Sequence, residues 1–477
     1  LTNIDELYER LIDLGQYPPA KTDTVTILER IGHFLDRENE DKYRYFKDKG
    51  YSKREITDLL ARHIDLKEIL SLAARRWDGG YVMAGMIGHG DAFVMRDPCG
   101  IRPAYYYRDD EVVVAASERA VIQTTFNVPY ENVQELAPGH ALLVRRDGDV
   151  SDERFIAPQE VRPCSFERIY FSRGSDQDIY RERKRLGRLL VPQILKSIDG
   201  DIENTVFSYI PNTAESAFFG LVEGLDAHCA ETRVQKIMAG RDTLTEERLH
   251  EILHYKPRIE KIAIKDVKMR TFITQDDERD DLVGHVYEVT YGTIRPDADN
   301  LVILDDSIVR GTTLRRSIIR ILDRLRPKKI VVCSSAPQIR YPDCYGIDMS
   351  RLGDFVAFRA AIELLKEHGM HDVIDDVYRK AKIQMGLERS EAVNCVKKIY
   401  EPFTDEEISA KIAQIVTAPD IHAGVEVIYQ SVENLHKAIP HHNGDWYFTG
   451  DYPTPGGNVV ANKAFINFYE NRNERAY

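Results

Sequence analysis

Cysteine is scarce in this 477-residue chain: Cys99, Cys164, Cys229, Cys333, Cys344 and Cys395 are scattered, and no Cys-x-x-Cys pair occurs. That spacing excludes a disulfide framework and a zinc ribbon, and it fits a reducing compartment, so the expected location is the cytoplasm. No apolar run is long enough to span a bilayer, and residues 1–20 carry Asp5, Glu6, Glu9 and Asp13, unlike a signal peptide, so no membrane partner is expected. Positive charge is not in excess either. The 65 Lys and Arg stand against 78 Asp and Glu, a net charge of −13 that disfavours nucleic acid as a partner but leaves room for a local phosphate site. Repeats and low-complexity tracts are absent, and the adjacent pair His441-His442 has no third ligand in spacing, so it reads as a polar loop. What remains is 43% hydrophobic and 30% charged, the composition of a globular protein of two or three domains.

The most informative stretch that is present runs from Leu301 to Thr313, LVILDDSIVRGTT. Four apolar residues suit a strand buried on both faces of a parallel sheet, and Asp305-Asp306 mark its carboxyl end. The residues that follow are small or hydroxylated, and Gly311 lets the backbone curl so that several N–H groups can face an anion. From Leu314 the apolar residues Leu314, Ile318, Ile321, Leu322 and Leu325 recur at helical spacing until Pro327, and a second strand, Ile330-Val331-Val332-Cys333, follows. This is a right-handed βαβ unit with its loop at a helix N-terminus, which suits a phosphate. The loop has no lysine and so is not a nucleotide-triphosphate loop. Carboxylates beside a phosphate cradle suit vicinal ribose hydroxyls or a divalent ion carried by a pyrophosphate. Two acids alone would read as a capped, solvated turn; the whole string reads as a sugar-phosphate site.

In its full form, Asp305 to Thr313 resembles the signature of amidophosphoribosyltransferases, within the wider phosphoribosyltransferase group. The stretch Ala336-Pro337-Gln338-Ile339-Arg340-Tyr341-Pro342 with Tyr345-Gly346-Ile347-Asp348, the segment Arg270-Thr271-Phe272-Ile273, and Phe448-Thr449-Gly450-Asp451-Tyr452-Pro453 are similar to further motifs of that family. Met269 stands where the family has glycine. In the first third, Arg96-Asp97-Pro98-Cys99-Gly100-Ile101-Arg102-Pro103, Ala116-Ser117-Glu118 and Glu135-Leu136-Ala137-Pro138-Gly139 resemble its glutaminase half.

The resemblance implies an α/β fold: a partial N-terminal-nucleophile (α-β-β-α) glutaminase domain over 1–157, with a charged helical insertion at about 36–67. A type I phosphoribosyltransferase domain with a parallel sheet would follow over 158–380, and a helical C-terminal extension over 381–477. The implied reaction is that of a pentosyltransferase at the first committed step of purine synthesis: phosphoribosyl pyrophosphate and glutamine, or ammonia, give 5-phosphoribosylamine, pyrophosphate and glutamate. Asp305 and Asp306 would hold the ribose hydroxyls and Mg²⁺, and Arg270 would act on the pyrophosphate. Ser307, Ile308, Val309, Arg310, Gly311, Thr312 and Thr313 would bind the 5-phosphate; Asn212, Thr213 and Ser216 would face the pyrophosphate. Ala214 occupies a position where the family usually has serine, and Asp276 to Asp281 is acidic where it is usually basic. The family's nucleophile is a first-residue cysteine. Residue 1 here is Leu, so the front half of the glutaminase domain is expected to be missing, with Asp23 its one glutamine-site remnant and no glutaminase activity. Residues 444–450 lack the cysteines of the iron–sulfur members, so no cluster is expected. A homo-oligomer with feedback inhibition by purine nucleotides is also implied. The alternatives are a salvage-type phosphoribosyltransferase and a non-catalytic regulator that binds phosphoribosyl pyrophosphate.

Elsewhere the pattern predicts short strands over Val112–Ala116 and Ala141–Val144 and a core strand over Thr205–Ile210. It further predicts a strand over Phe166–Phe171, and helices over Phe355–His368, Thr404–Val416 and Val425–Ala438.

Overall fold

The chain, as a computed structural model, is described over residues 1–265, 287–346 and 349–476. It opens with four helices, Ile4–Asp13, Asp23–Asp48, Lys53–His63 and Leu66–Ala74. The charge-dense stretch 36–67 falls largely in the second and third. Its polar residues face water, while Phe46 and Ile56 turn inward. Ser52 starts the third helix with a capping box against Glu55.

Two antiparallel sheets follow. One has the order β1 (Val82–Met86), β2 (Ala92–Arg96), β6 (His140–Val144), β7 (Val150–Arg154). The other runs β4 (Val113–Ala116), β3 (Tyr105–Arg108), β5 (Gln134–Glu135). The segment Leu66 to Ala74 buries Leu66, Leu70, Ala73 and Ala74 in one core with Phe93, Met95, Ala141 and Leu143 of the first sheet.

The second half is built on a five-stranded sheet in which every pair is parallel. Its order is β14 (Gly424–Tyr429), β13 (Lys329–Ser334), β12 (Asn300–Asp305), β8 (Thr205–Tyr209), β9 (Arg258–Ile259). A small antiparallel pair, β10 (Ala263–Lys265) and β11 (Tyr287–Val289), lies outside it. The central strands are apolar without alternation because both faces are covered. Leu301, Ile303, Ile330 and Val332 enter one core, and Val302, Leu304, Val331 and Cys333 the other.

Two expected elements differ. Val425–Ala438 is not one helix: Gly424–Tyr429 is the edge strand beside β13, and only Val432–Ala438 is helical. Val425, Val427, Ile428 and Tyr429 are β-branched or aromatic residues that pack well on a pleated surface, and the exposed edge of β13 supplies their backbone partners. Residues 381–477 are therefore not purely a helical extension, since they complete the transferase sheet. The second difference is at Phe166–Phe171, which is a π-helical turn over Glu167–Phe171 rather than a strand. Its Ser172 N–H donates to the Glu167 carbonyl, and Phe166 packs on both Tyr170 and Phe171. Aromatics four and five residues apart meet only when the chain coils.

The two halves are locked together. Arg102 reaches from the first half to donate to the Tyr345 carbonyl at 3.1 and 2.8 Å and to Glu167 at 2.8 Å. Gly444 hydrogen-bonds the Pro163 carbonyl, and Cys164 pairs with it as a parallel β-bridge.

Candidate functional site

Strand β12 ends on Asp305, and the chain then turns away as the Ser307–Thr313 loop. The backbone of the acid pair is clamped from β13: the Ser335 N–H donates to the Asp305 carbonyl (2.9 Å) and the Ala336 N–H to that of Asp306 (3.0 Å). Ile308 and Val309 pack into the core, and Val309 accepts from the Val356 N–H. Gly311 has φ +70°, and a Cβ there would meet Val416 and Val356 at 3.1 and 3.2 Å. Only glycine fits both the left-handed backbone and that close approach. Arg310 is not turned inward; it sits 3.5 Å from Asp354 at the surface. Thr312 and Thr313 are exposed at the head of the helical segment that continues through Leu314–Ile318 and Ile319–Asp323.

Both carboxyls are raised above the ordinary carboxylate range. Asp305 accepts from the Asp306 N–H at 2.8 Å, and burial together with the Asp306 charge holds its pKa well above the ordinary carboxylate range. Asp306 is also raised by burial, against the pull of hydrogen bonds from the Ser307 and Thr213 hydroxyls and of the nearby Arg183 charge. Thr213 thus joins the acid pair from the turn after β8. Asn212 is exposed there, Ala214 is fully buried, and Ser216 lies in the first turn of the helix Glu215–Gly240.

Four further residues gather here that sequence patterning did not reveal. Tyr170 stands by both acids, and burial and their charges raise its phenol. Tyr287 is pushed up to about 12 by burial and then by Asp305 and Asp306. Tyr429 sits level with Asp305 across β13, its buried hydroxyl without a partner among the described residues and its ionisation opposed by burial and by Asp305. Arg183, on the helix Gln177–Leu189, is 4% exposed; burial lowers its pKa to about 10 against the pull of Asp306. The run Arg181-Glu182-Arg183-Lys184-Arg185 reads as a solvated charged face, which hides the one arginine that turns inward.

Arg270 and the acidic stretch 276–281 lie outside the described residues, as do Ile347 and Asp348. Asp23 takes no part in this cluster; it opens the helix Asp23–Asp48, with Oδ2 3.0 Å from the Leu1 amino nitrogen. All six cysteines are buried. Burial pushes Cys99 and Cys164 up to about 12 and raises the other four, so none is poised as a thiolate. Tyr447 lies against Cys164 and donates to Asp343, next to Cys344, at 2.8 Å. Among the described residues no group of three or more His, Cys, Asp or Glu side chains is arranged to hold a metal ion. No helix among them is long and apolar enough to cross a membrane. A cleft of about 330 Å³ opens between the halves, lined by Arg102, Ser117, Glu118, Glu167, Phe171 and Ser172 among others.

No family model matches the chain. The amidophosphoribosyltransferase of Pseudomonas aeruginosa is 27% identical over 375 residues, covering 76% of this chain and 64% of the relative. That of Haemophilus influenzae is 26% identical over 381 residues, covering 77% and 64%. The match to both thus spans a little under two thirds of these relatives' length. Among solved structures, the glutamine phosphoribosylpyrophosphate amidotransferase of B. subtilis, complexed with ADP and GMP, superposes with a TM-score of 0.59 at 23% identity, covering 95% of this chain and 75% of that one. The similarity to amidophosphoribosyltransferases therefore extends over about three quarters of the chain, well beyond the loop.

Proposed function

We propose that the parallel-sheet half transfers the 5-phosphoribosyl group of phosphoribosyl pyrophosphate to ammonia, making 5-phosphoribosylamine and pyrophosphate, the reaction that opens purine synthesis. The observation that carries this reading is the clamped Asp305-Asp306 pair at the carboxyl end of a central parallel strand, with a glycine-turned loop curling directly from it. Likeness to amidophosphoribosyltransferases over three quarters of the chain favours it over a shorter salvage enzyme. The antiparallel first half supports a partial N-terminal-nucleophile glutaminase fold. All six cysteines of the chain are buried, and burial raises their thiols, so ammonia is the nitrogen donor we assign to the residues of this chain, arriving by the cleft between the halves.

In the step itself the ammonia lone pair forms the bond to C1, the C1–O pair departs with pyrophosphate, and one N–H proton passes to the released pyrophosphate. The transition state has oxocarbenium character, so the protein's work is positioning and charge stabilisation. Asp305 and Asp306 accept from the ribose hydroxyls. The backbone N–H groups of Ser307 to Thr313, with the hydroxyls of Thr312 and Thr313, hold the 5-phosphate. Asn212, Thr213 and Ser216 face the pyrophosphate, and Arg270 is assigned to it as well. Mg²⁺ fits this donor set: among the described residues no third acid joins the two carboxyls, and hard carboxylate oxygens suit such an ion. Asp305 and Asp306 would hold it, and when bound it neutralises charge on the leaving group. The ADP and GMP in the B. subtilis neighbour favour purine nucleotides as ligands of this chain too, and we assign them a regulatory role.

The test is pyrophosphate release from phosphoribosyl pyrophosphate with Mg²⁺, with ammonium chloride at alkaline pH or with glutamine, beside an Asp305→Asn/Asp306→Asn variant. Release with ammonium that the double variant loses is the expected result. Binding of the substrate without release from either donor would instead favour a non-catalytic sensor.

A further inference from the structure

The helices Gln177–Leu189 and Glu215–Gly240 cross at glycine. A Cβ on Gly187 would stand 1.7 Å from the Ala217 carbonyl oxygen, and one on Gly220 would stand 1.9 Å from that of Lys184. Bare backbone against bare backbone brings the first helix down on the second, and one turn before each glycine stand Arg183 and Ser216. The guanidinium of Arg183 is already half committed. Nε donates to the Arg168 carbonyl (2.8 Å) and Nη2 to that of Ser172 (2.6 Å), which fixes its plane. Nη1 has no hydrogen-bond partner among the described residues, and no carboxylate there lies within ion-pair distance of this buried cation. Nη1 and the Ser216 hydroxyl both converge on the open face of Gly174, where an added Cβ would sit 3.1 and 3.2 Å from them. The same corner borders Asp306, and the Arg173 N–H beside it is tied to Glu118 at 2.7 Å.

A buried guanidinium with one free edge, a hydroxyl opposite and a glycine that leaves the gap open make a receptor for an anionic oxygen. Its place is the β8 side of the acid pair, next to Thr213, and not the Ser307–Thr313 loop. We propose that Arg183 and Ser216, across Gly174, form a fixed contact for the departing pyrophosphate. This rests on the phosphoribosyl-transfer reading and adds a residue to it. The negative charge that develops as the C1–O bond breaks would meet a cation already oriented by two backbone carbonyls, so little reorganisation is needed at that moment.

The experiment is calorimetric titration of the full chain, in buffer containing Mg²⁺, with inorganic pyrophosphate and separately with ribose 5-phosphate. Gly174→Ala fills the gap while leaving both backbone bonds of Arg183 in place, so it tests the contact without dismantling the turn that Arg183 supports. Gly174→Ala should weaken pyrophosphate severalfold, and Arg183→Met roughly tenfold or more, as expected for loss of a charged hydrogen bond, with ribose 5-phosphate unchanged. Wild-type pyrophosphate affinity in Gly174→Ala and in folded Arg183→Met would overturn the proposal, leaving phosphoribosyl transfer standing if ribose 5-phosphate binds and Asp306→Asn loses it. A wild-type chain that binds neither probe would overturn both.

Discussion

At the residue scale the acid pair sets function against stability. Asp305 and Asp306 ionise freely in the unfolded chain, at ordinary carboxylate values near 4, but in the fold burial raises both, and the Asp306 charge raises Asp305 further. A raised carboxyl contributes stability that is present below the unfolded pKa and lost as pH rises through the folded one. The free protein should therefore lose stability as pH rises above about 4, and Asp305→Asn should be more stable than wild type at pH 7.5 by roughly 1–3 kcal/mol. Urea unfolding with and without Mg²⁺ checks this: the ion should close the gap by stabilising wild type alone, and a less stable Asn variant would contradict the sign. Asp305, Asp306 and the loop were legible in the sequence because strand, acids, glycine and helix are consecutive. Arg183, Tyr170, Tyr287 and Tyr429 were not, since four distant segments bring them there and each looks ordinary in its own.

At the element scale, two glycines hold the site in shape for different reasons. Gly311 is needed for its left-handed backbone. Gly311→Ala should cost roughly 1–2 kcal/mol in conformational strain and weaken ribose 5-phosphate in a binding titration, because the loop must lift from Val356 and Val416. Gly220 is needed for contact: in Gly220→Ala the two helices must separate, at a cost of about 1–3 kcal/mol in chemical denaturation. Pyrophosphate release should fall with it, since Arg183 and Ser216 move apart. Periodicity located most of these elements, Val356–Glu367 and Asp405–Val416 among them. It misassigned Gly424–Tyr429 because a short apolar run reads as strand or helix alike until a neighbouring edge is there to pair with it.

At the scale of the whole molecule, Arg102 is the tie between the halves. Its guanidinium pairs with the largely buried Glu167 at 2.8 Å and lies 3.7 Å from Asp343, and removing one partner of such a pair leaves the other charge under-compensated. Arg102→Met should cost about 3 kcal/mol and split a single calorimetric unfolding peak into two, one for each half; a single unshifted peak would show that the other contacts suffice. The sequence by itself determined what depends on neighbours along the chain: the buried parallel strand, the acid pair at its end and the turn at Gly311. Only the tertiary structure decided which arginine of a charged helix faces the acids, that the C-terminal region supplies the sheet's edge, and that Phe166–Phe171 coils. Each of these turns on a contact between segments far apart in the chain, made favourable by burial and by pairing of backbone groups, and no local pattern encodes its partner.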